Sequence, residues 1–430
     1  MLTILKNRLD KKEDITDLVN EVVDNLESQK IWNVEYLYRL IKWSLDNPQQ
    51  VKDATVDSLI KRYEYIANPY DWKFSDIQTR VFTNRLKNKE KFNERMLLEY
   101  GGGGKLNSGN YSYDNFFFAG YCLYRVHNKN WRNVMSIGGK LFRPLARNKM
   151  YSNHIMRGLQ YILSDIDIET ARKEKADDLN EINFCIPEFC FGRQNNQLVH
   201  IIAIDEKYFD RFKDCIIYRN RMNEGVLHLH LMNPRQDQIA EIKILQQRGE
   251  HIGLSFENIS CNDLKAYYIA RRFLLAKELL RAYPSAEIFL VTDADIVLQK
   301  NKLKNLIYDF KSADANLACK FHNANIPWTS VGAGMIVLKT DSESNRKKTF
   351  EFLDLFSKLY ISLFEPDRSP YMNTQWYIDQ GILISLVDYL EMRPFILNEY
   401  EGKAFAFPRG IVGKSKEDEL ESIALKLSQD

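Results

Sequence analysis

Apolar positions in the first part of the chain recur at helical spacing. Ile15, Leu18, Val22, Val23 and Leu26 mark one helix over residues 15–26. Tyr36, Leu40 and Trp43, flanked by Leu37, Ile41 and Leu45, mark a second over 32–45. Side chains three and four positions apart share one face of a helix, so these stripes predict packed, amphipathic helices. The same spacing predicts helices over 56–66, 74–86, 115–127, 131–142 and 152–163, and Asn47-Pro48 and Asn68-Pro69 punctuate the series. Beyond about residue 183 the rhythm changes. Short apolar runs at 198–204, 226–231, 252–256, 288–291, 316–321 and 335–338 read as buried strands. Between and after them, 208–218, 236–247, 263–282, 303–310, 344–363 and 378–390 read as helices. Strands alternating with helices predict an α/β sheet domain.

The helical part resembles a tetratricopeptide-like array without a clean repeat period, and a plain all-α domain fits it equally. Ala119, Gly120, Gly138 and Gly139 fall where two helices can pack closely. The run Gly101-Gly102-Gly103-Gly104-Lys105 imitates a phosphate loop, but no Ser or Thr follows the lysine and no buried strand precedes it. A flexible linker is the better reading. The charged segment 169–181 sets the expected boundary, giving an all-α domain over 1–180, an α/β domain over 183–416 and a tail helix over 417–430.

Composition narrows the classes. A chain of 430 residues exceeds one ordinary core. Sixty Lys and Arg against 58 Asp and Glu leave a net charge of +2, which gives no reason to expect nucleic acid as a partner. Six scattered cysteines with no Cys-x-x-Cys pair read as reduced thiols, and Cys185 and Cys190 lack the second pair that a zinc site needs. No run of about 18 apolar residues predicts a membrane span, and the N-terminus lacks a signal-peptide core. The expectation is a cytoplasmic protein, free or peripheral to a membrane.

Candidate chemistry centres on residues 287–298, EIFLVTDADIVL. A buried strand running into Asp293-Ala294-Asp295 places two carboxylates at a sheet rim, where open α/β sheets bind ligands. Such a pair can hold Mg²⁺ or Mn²⁺ and, through it, a diphosphate. Solvated carboxylates in a strand-to-helix turn are the bland alternative, and the apolar flanks argue against it.

Further motifs give the region 198–416 a family likeness. Asp205 and Tyr208 follow the first strand; Arg271 and Arg272 lie in the helix before the aspartates; Ala333-Gly334 opens a strand; Asp379-Gln380 starts a helix; Gly413 and Lys416 come near the end. In this order they resemble a GT-A-fold nucleotide-sugar glycosyltransferase, with most similarity to the retaining galactosyltransferase and glycogenin family. The resemblance implies a Rossmann-like transferase domain, a UDP-sugar donor, Mn²⁺ or Mg²⁺ as cofactor, and a glycan or protein hydroxyl as acceptor. It implies that Asp205 and Tyr208 bind the uracil, that Asp293 and Asp295 hold the metal, and that Asp293 also contacts ribose. One of the two arginines, taken as Arg272, contacts the donor, and Ala333 and Gly334 let the sugar approach. Asp379 binds sugar hydroxyls, Gln380 sits beside the reacting carbon, and Lys416 holds the diphosphate. The helical domain offers a platform for a protein partner.

Three positions depart from the family pattern: Lys207 and Gly332 each replace an Asn, and Gly410 replaces the metal-binding His. The third metal ligand is then water or a carboxylate such as Glu399 or Glu401. Two other readings stay open. A haloacid-dehalogenase-like phosphatase also carries Asp-x-Asp after a strand, though it needs a late acidic pair that is missing here. A helical scaffold with a degenerate transferase domain would explain the departures.

Overall fold

The computed structural model describes residues 2–11, 13–24, 33–47, 49–66, 77, 113–125, 127–146, 156–174, 182–191, 198–219, 225–321, 326–368, 375–408 and 415–429. The helix expected over 74–86, the glycine run at 101–105, and Gly410 and Gly413 lie outside the described residues, Ile77 apart.

Four helices open the chain: α1 (Leu2–Asp10), α2 (Thr16–Asp24), α3 (Val34–Asp46) and α4 (Asp53–Ile66). Their stripes close a core of their own around Leu37, Leu40, Ile41, Leu59 and Tyr63. Asn33 caps α3 by accepting from the backbone N–H groups of Glu35 and Tyr36. Next come α5 (Tyr113–Arg125), α6 (Trp131–Ala146) and α7 (Asp165–Lys173). Gly120 lets α5 lie against α6, since a Cβ there would stand 2.8 Å from that of Met135. The expected helix over 152–163 is instead a 3₁₀ turn over Met156–Tyr161, as far as it is described.

A mixed eight-stranded sheet follows: β1 (Asn183–Cys185), β2 (Leu198–Asp205), β3 (Gly225–Met232), β4 (Ile252–Glu257), β5 (Ile288–Thr292), β7 (Leu317–Phe321), β8 (Val331–Lys339) and β9 (Phe395–Ile396), in the order β1-β4-β3-β2-β5-β8-β7-β9. Strands β6 (Val297–Leu298) and β10 (Phe405–Ala406) pair separately. Strands β4, β3, β2 and β5 are parallel, and β8 runs antiparallel to β5. The carboxyl ends of β2 and β5 therefore meet the amino end of β8 at one rim. Strand β2 buries both faces, as a parallel strand covered on two sides must.

On one face, α10 (Leu264–Ala282), α12 (Glu343–Leu363) and α13 (Ile378–Tyr389) join α5–α7 in a single core running from Phe117 to Val387. On the other lie α8 (Glu206–Asp214), α9 (Gln236–Gln247), α11 (Lys300–Ser312) and α14 (Lys416–Gln429). Leu420 and Leu427 dock α14 against this side. The helix expected over 208–218 becomes α8 followed by a π turn over Cys215–Arg219.

Candidate active site

Six chain segments converge where β2 and β5 end and β8 begins. Tyr208, Tyr268, Arg272, Asp293, Asp295, Ala333, Gly334, Asp379, Gln380 and Lys416 all line one pocket of about 140 Å³. Each is placed by simple local structure. Asp205 ends β2 and caps α8, its Oδ1 accepting the Tyr208 N–H at 2.8 Å. That bond fixes the first turn and sets the Tyr208 ring against Tyr268, 5.6 Å between centroids. Asp205 itself is not among the lining residues.

The two arginines of α10 take opposite sides, as neighbours about 100° apart on a helix must. Arg272 donates to Asp293 Oδ1 and, from Nη2, to the Ala333 carbonyl at 2.7 Å. Arg271 turns away and forks onto Glu257 at 2.8 and 3.0 Å. Both are buried, so neither is the solvated surface charge that a helix of this composition allows. Arg272 shares its face with Lys265, Tyr268 and Ile269, which also line the pocket. That face could have been read from the i, i+3, i+4, i+7 spacing. Trp376, 37% exposed at the pocket wall with the Lys265 ammonium 4.3 Å from its ring centroid, carried no advance signal beyond being an aromatic next to Asp379.

Asp293 and Asp295 enter the pocket from the turn after β5. The Asp293 N–H donates to the Gly334 carbonyl at 2.9 Å. A Cβ at Gly334 would stand 2.9 Å from Asp293 Oδ2, so only glycine leaves that oxygen its space. Asp293 opens about a third of its side chain to the pocket, yet surrounding protein dominates its electrostatics. Burial pushes its carboxyl up and nearby Asp295 adds to this, while Arg272 and Lys416 oppose. Asp295 pairs through Oδ2 with the Lys416 ammonium at the start of α14.

The metal-site chemistry can be tested on these atoms. One oxygen of each aspartate is held by a cation; Asp293 Oδ2 and Asp295 Oδ1 have no hydrogen-bond or ion-pair partner among the described residues. Two hard carboxylate oxygens in one pocket suit Mg²⁺ or Mn²⁺ with water completing the shell. Among the described residues no group of three His, Cys, Asp or Glu side chains comes together. Glu401 is engaged by Lys320 at 2.7 Å, and Glu399 does not line the pocket. Glu399 and Glu401 are thus both absent from the lining of the aspartate pocket.

Asp379 and Gln380 occupy the first turn of α13. Burial pushes the Asp379 carboxyl up to about 6, with Arg272 pulling the other way. Its Oδ1 accepts the Gln380 N–H at 2.8 Å. The side-chain Oε1 of Gln380 is buried and accepts from no group among the described residues. Buried acceptors are normally satisfied, so this oxygen stands open to a donor from outside the described residues.

No protein-family model matches the chain, and no curated protein does. Among solved structures, it is similar to the apo glycosyltransferase GlyE of Streptococcus pneumoniae TIGR4 at 13% identity and a TM-score of 0.34, covering 55% of this chain and 63% of that one. It is also similar to mouse xyloside xylosyltransferase 1, at 10% identity and a TM-score of 0.30, covering 48% of this chain and 87% of that one. The galactosyltransferase LgtC, solved with donor and acceptor sugar analogues, aligns at 12% identity and a TM-score of 0.33 over 54% of this chain and 96% of that one. The alignments span about half of the chain, and the pocket's own geometry carries the functional conclusion.

Proposed function

We propose that the chain is a metal-dependent glycosyltransferase that moves a sugar from a UDP-sugar to a glycan or protein hydroxyl with retention. The observation that carries this reading is the buried Gln380 Oε1, without a donor among the described residues, beside Asp379 and in the same pocket as the aspartate pair and its two cations. Sugar hydroxyls are the donors such acceptors lack, and a diphosphate is the anion such cations attract.

In this reading Tyr208 stacks on the uracil and Asp205 meets its ring N–H. Mn²⁺ or Mg²⁺ held by Asp293 and Asp295 would supply positive charge to the leaving diphosphate. Lys416 leaves Asp295 to reach a phosphate oxygen, which also enlarges a pocket now below the roughly 300–1,000 Å³ of typical ligand sites. Arg272 holds Asp293 in place from a buried position. Ala333 and Gly334 present a wall that the sugar can approach closely. Asp379 accepts from the sugar hydroxyls, and Gln380 occupies the face of C1 opposite the diphosphate. The acceptor oxygen then bonds C1 on the face that UDP leaves. The bond to UDP breaks with its electron pair on the phosphate oxygen, which takes the acceptor's proton. Gln380 on the far face blocks inversion.

Calorimetry should show UDP binding that depends on Mn²⁺ or Mg²⁺. Asp293→Asn, which keeps an acceptor for Arg272, should lower kcat/KM for UDP-sugar turnover by about 100- to 1,000-fold. Metal-independent or absent UDP binding would sink the proposal. Release of inorganic phosphate from small phosphoesters would favour a phosphatase instead.

A further inference from the structure

A second cavity lies away from this pocket. It is a cleft of about 1,140 Å³ between the α5–α6 turn, the last turn of α13 and the segment leading into β9. That volume lies just above the roughly 300–1,000 Å³ of typical small-ligand sites. Phe321, which ends β7 opposite Val331 at the start of β8, lies on the same rim of the sheet as the aspartates. Helix α13 joins the two sites: Gln380 lines one, and Asp388, about 12 Å further along the axis, lines the other.

The charges of the cleft are unevenly used. Its three acids are all engaged within its own walls. Arg132 donates to Asp388 at 2.6 Å and to Asp165 at 2.7 Å, and Glu391 pairs with Lys129. Two more guanidinium groups, Arg125 on α5 and Arg393 before β9, face the cleft with no acid beside them among the described residues. Phe321, Met392 and Ile396, the last 43% exposed, add an apolar surface. A planar guanidinium presents a donor fork that matches carboxylate or phosphate oxygens, and two in one concave wall can hold one anion from two directions.

We propose that this cleft binds an anionic small molecule, with a carboxylate or phosphate held by Arg125 and Arg393 and its body against Phe321, Met392 and Ile396. The proposal does not depend on the reading of the aspartate pocket. Phenylglyoxal labelling of the full chain, read arginine by arginine by peptide mass spectrometry, tests it. The probes are inorganic phosphate, glucuronate and glucose. An anion present at twice its Kd should slow labelling of Arg125 and Arg393 by about threefold. Glucose should not, and Arg281, 73% exposed elsewhere on α10, should keep its rate. Protection by phosphate alone assigns a phosphorylated ligand; protection by glucuronate alone assigns an acidic sugar; protection by both supports the site for either anion. In Arg393→Gln the protection of Arg125 should fall to near none. Equal labelling with and without both anions, or protection of Arg125 that survives Arg393→Gln, overturns the proposal.

Discussion

Two charged networks flank helix α10, and they differ in one respect. On the Arg271 side the network is closed. Glu257, wholly buried, accepts from Arg271, from Tyr267 at 3.0 Å and lies 3.0 Å from His230. Ser255 links His230 to His228, whose other nitrogen meets the Tyr283 hydroxyl at 3.0 Å. Burial would push the Glu257 carboxyl up, but His230 and Arg271 together hold it below its ordinary range. Burial drives His228 down to about 3, so that ring is neutral. On the Arg272 side the network is open. Arg272 Nε and Gln380 Oε1 are buried without partners among the described residues, and Asp293 and Asp379 are both pushed up by burial. A satisfied buried network rigidifies a core, whereas an unsatisfied one stores a cost that a ligand can relieve. The two sides therefore separate a satisfied buried network from an unsatisfied one, although each centres on a buried arginine from adjacent positions.

The largest effect expected from breaking this contrast is on the closed side. Glu257→Ala strands Arg271 in the core and should cost about 3–5 kcal/mol of stability in urea titrations. A loss below 1 kcal/mol would mean that water reaches Arg271 and that the network is not closed. A smaller effect, of opposite sign, is expected on the open side. The folded carboxyl of Asp379 sits near 6, above its unfolded value, so its contribution to stability is present below about pH 4 and lost as pH rises through about 6. Asp379→Asn should flatten that decline and gain up to about 3 kcal/mol near neutral pH, while sugar transfer falls. Parallel stability curves for the two proteins from pH 4 to 7 would contradict the raised carboxyl. The smallest change should come from Gln380→Met. Its Oε1 has no bond to lose, so stability should stay within about 0.5 kcal/mol while turnover drops. A marked loss of stability would show that the amide is structurally engaged.

Much of the fold was legible in the sequence. The runs at 198–204 and 288–291 become β2 and β5 to within a residue, and the helix expected over 263–282 is α10 with Asp263 as its cap. The short pieces were not. Strands β1, β9 and β10 hold two or three residues, too few for a periodic signal, and exist because a neighbouring strand supplies their partners. Strand β8 begins at Val331 rather than Met335 because Val331 and Gly332 pair with β7 beyond a register shift that takes in Gly334, and glycine weakens strand propensity on its own. His228 and His230 could be placed on one face of a strand, but nothing local said that Ser255 and Glu257 would meet them.

The sequence by itself determined most of the longer elements, and the placing of Asp293 and Asp295 after a buried strand, because periodicity, capping and turn chemistry act over a few residues. The family resemblance offered Arg271 or Arg272 as a donor contact. Only the tertiary structure decided between them, brought Lys416 to Asp295 across more than a hundred residues, and left Gln380 Oε1 without a donor. Ion pairing, desolvation and hydrogen-bond satisfaction depend on distance in space and on the surrounding dielectric, and neither is written in the spacing along the chain.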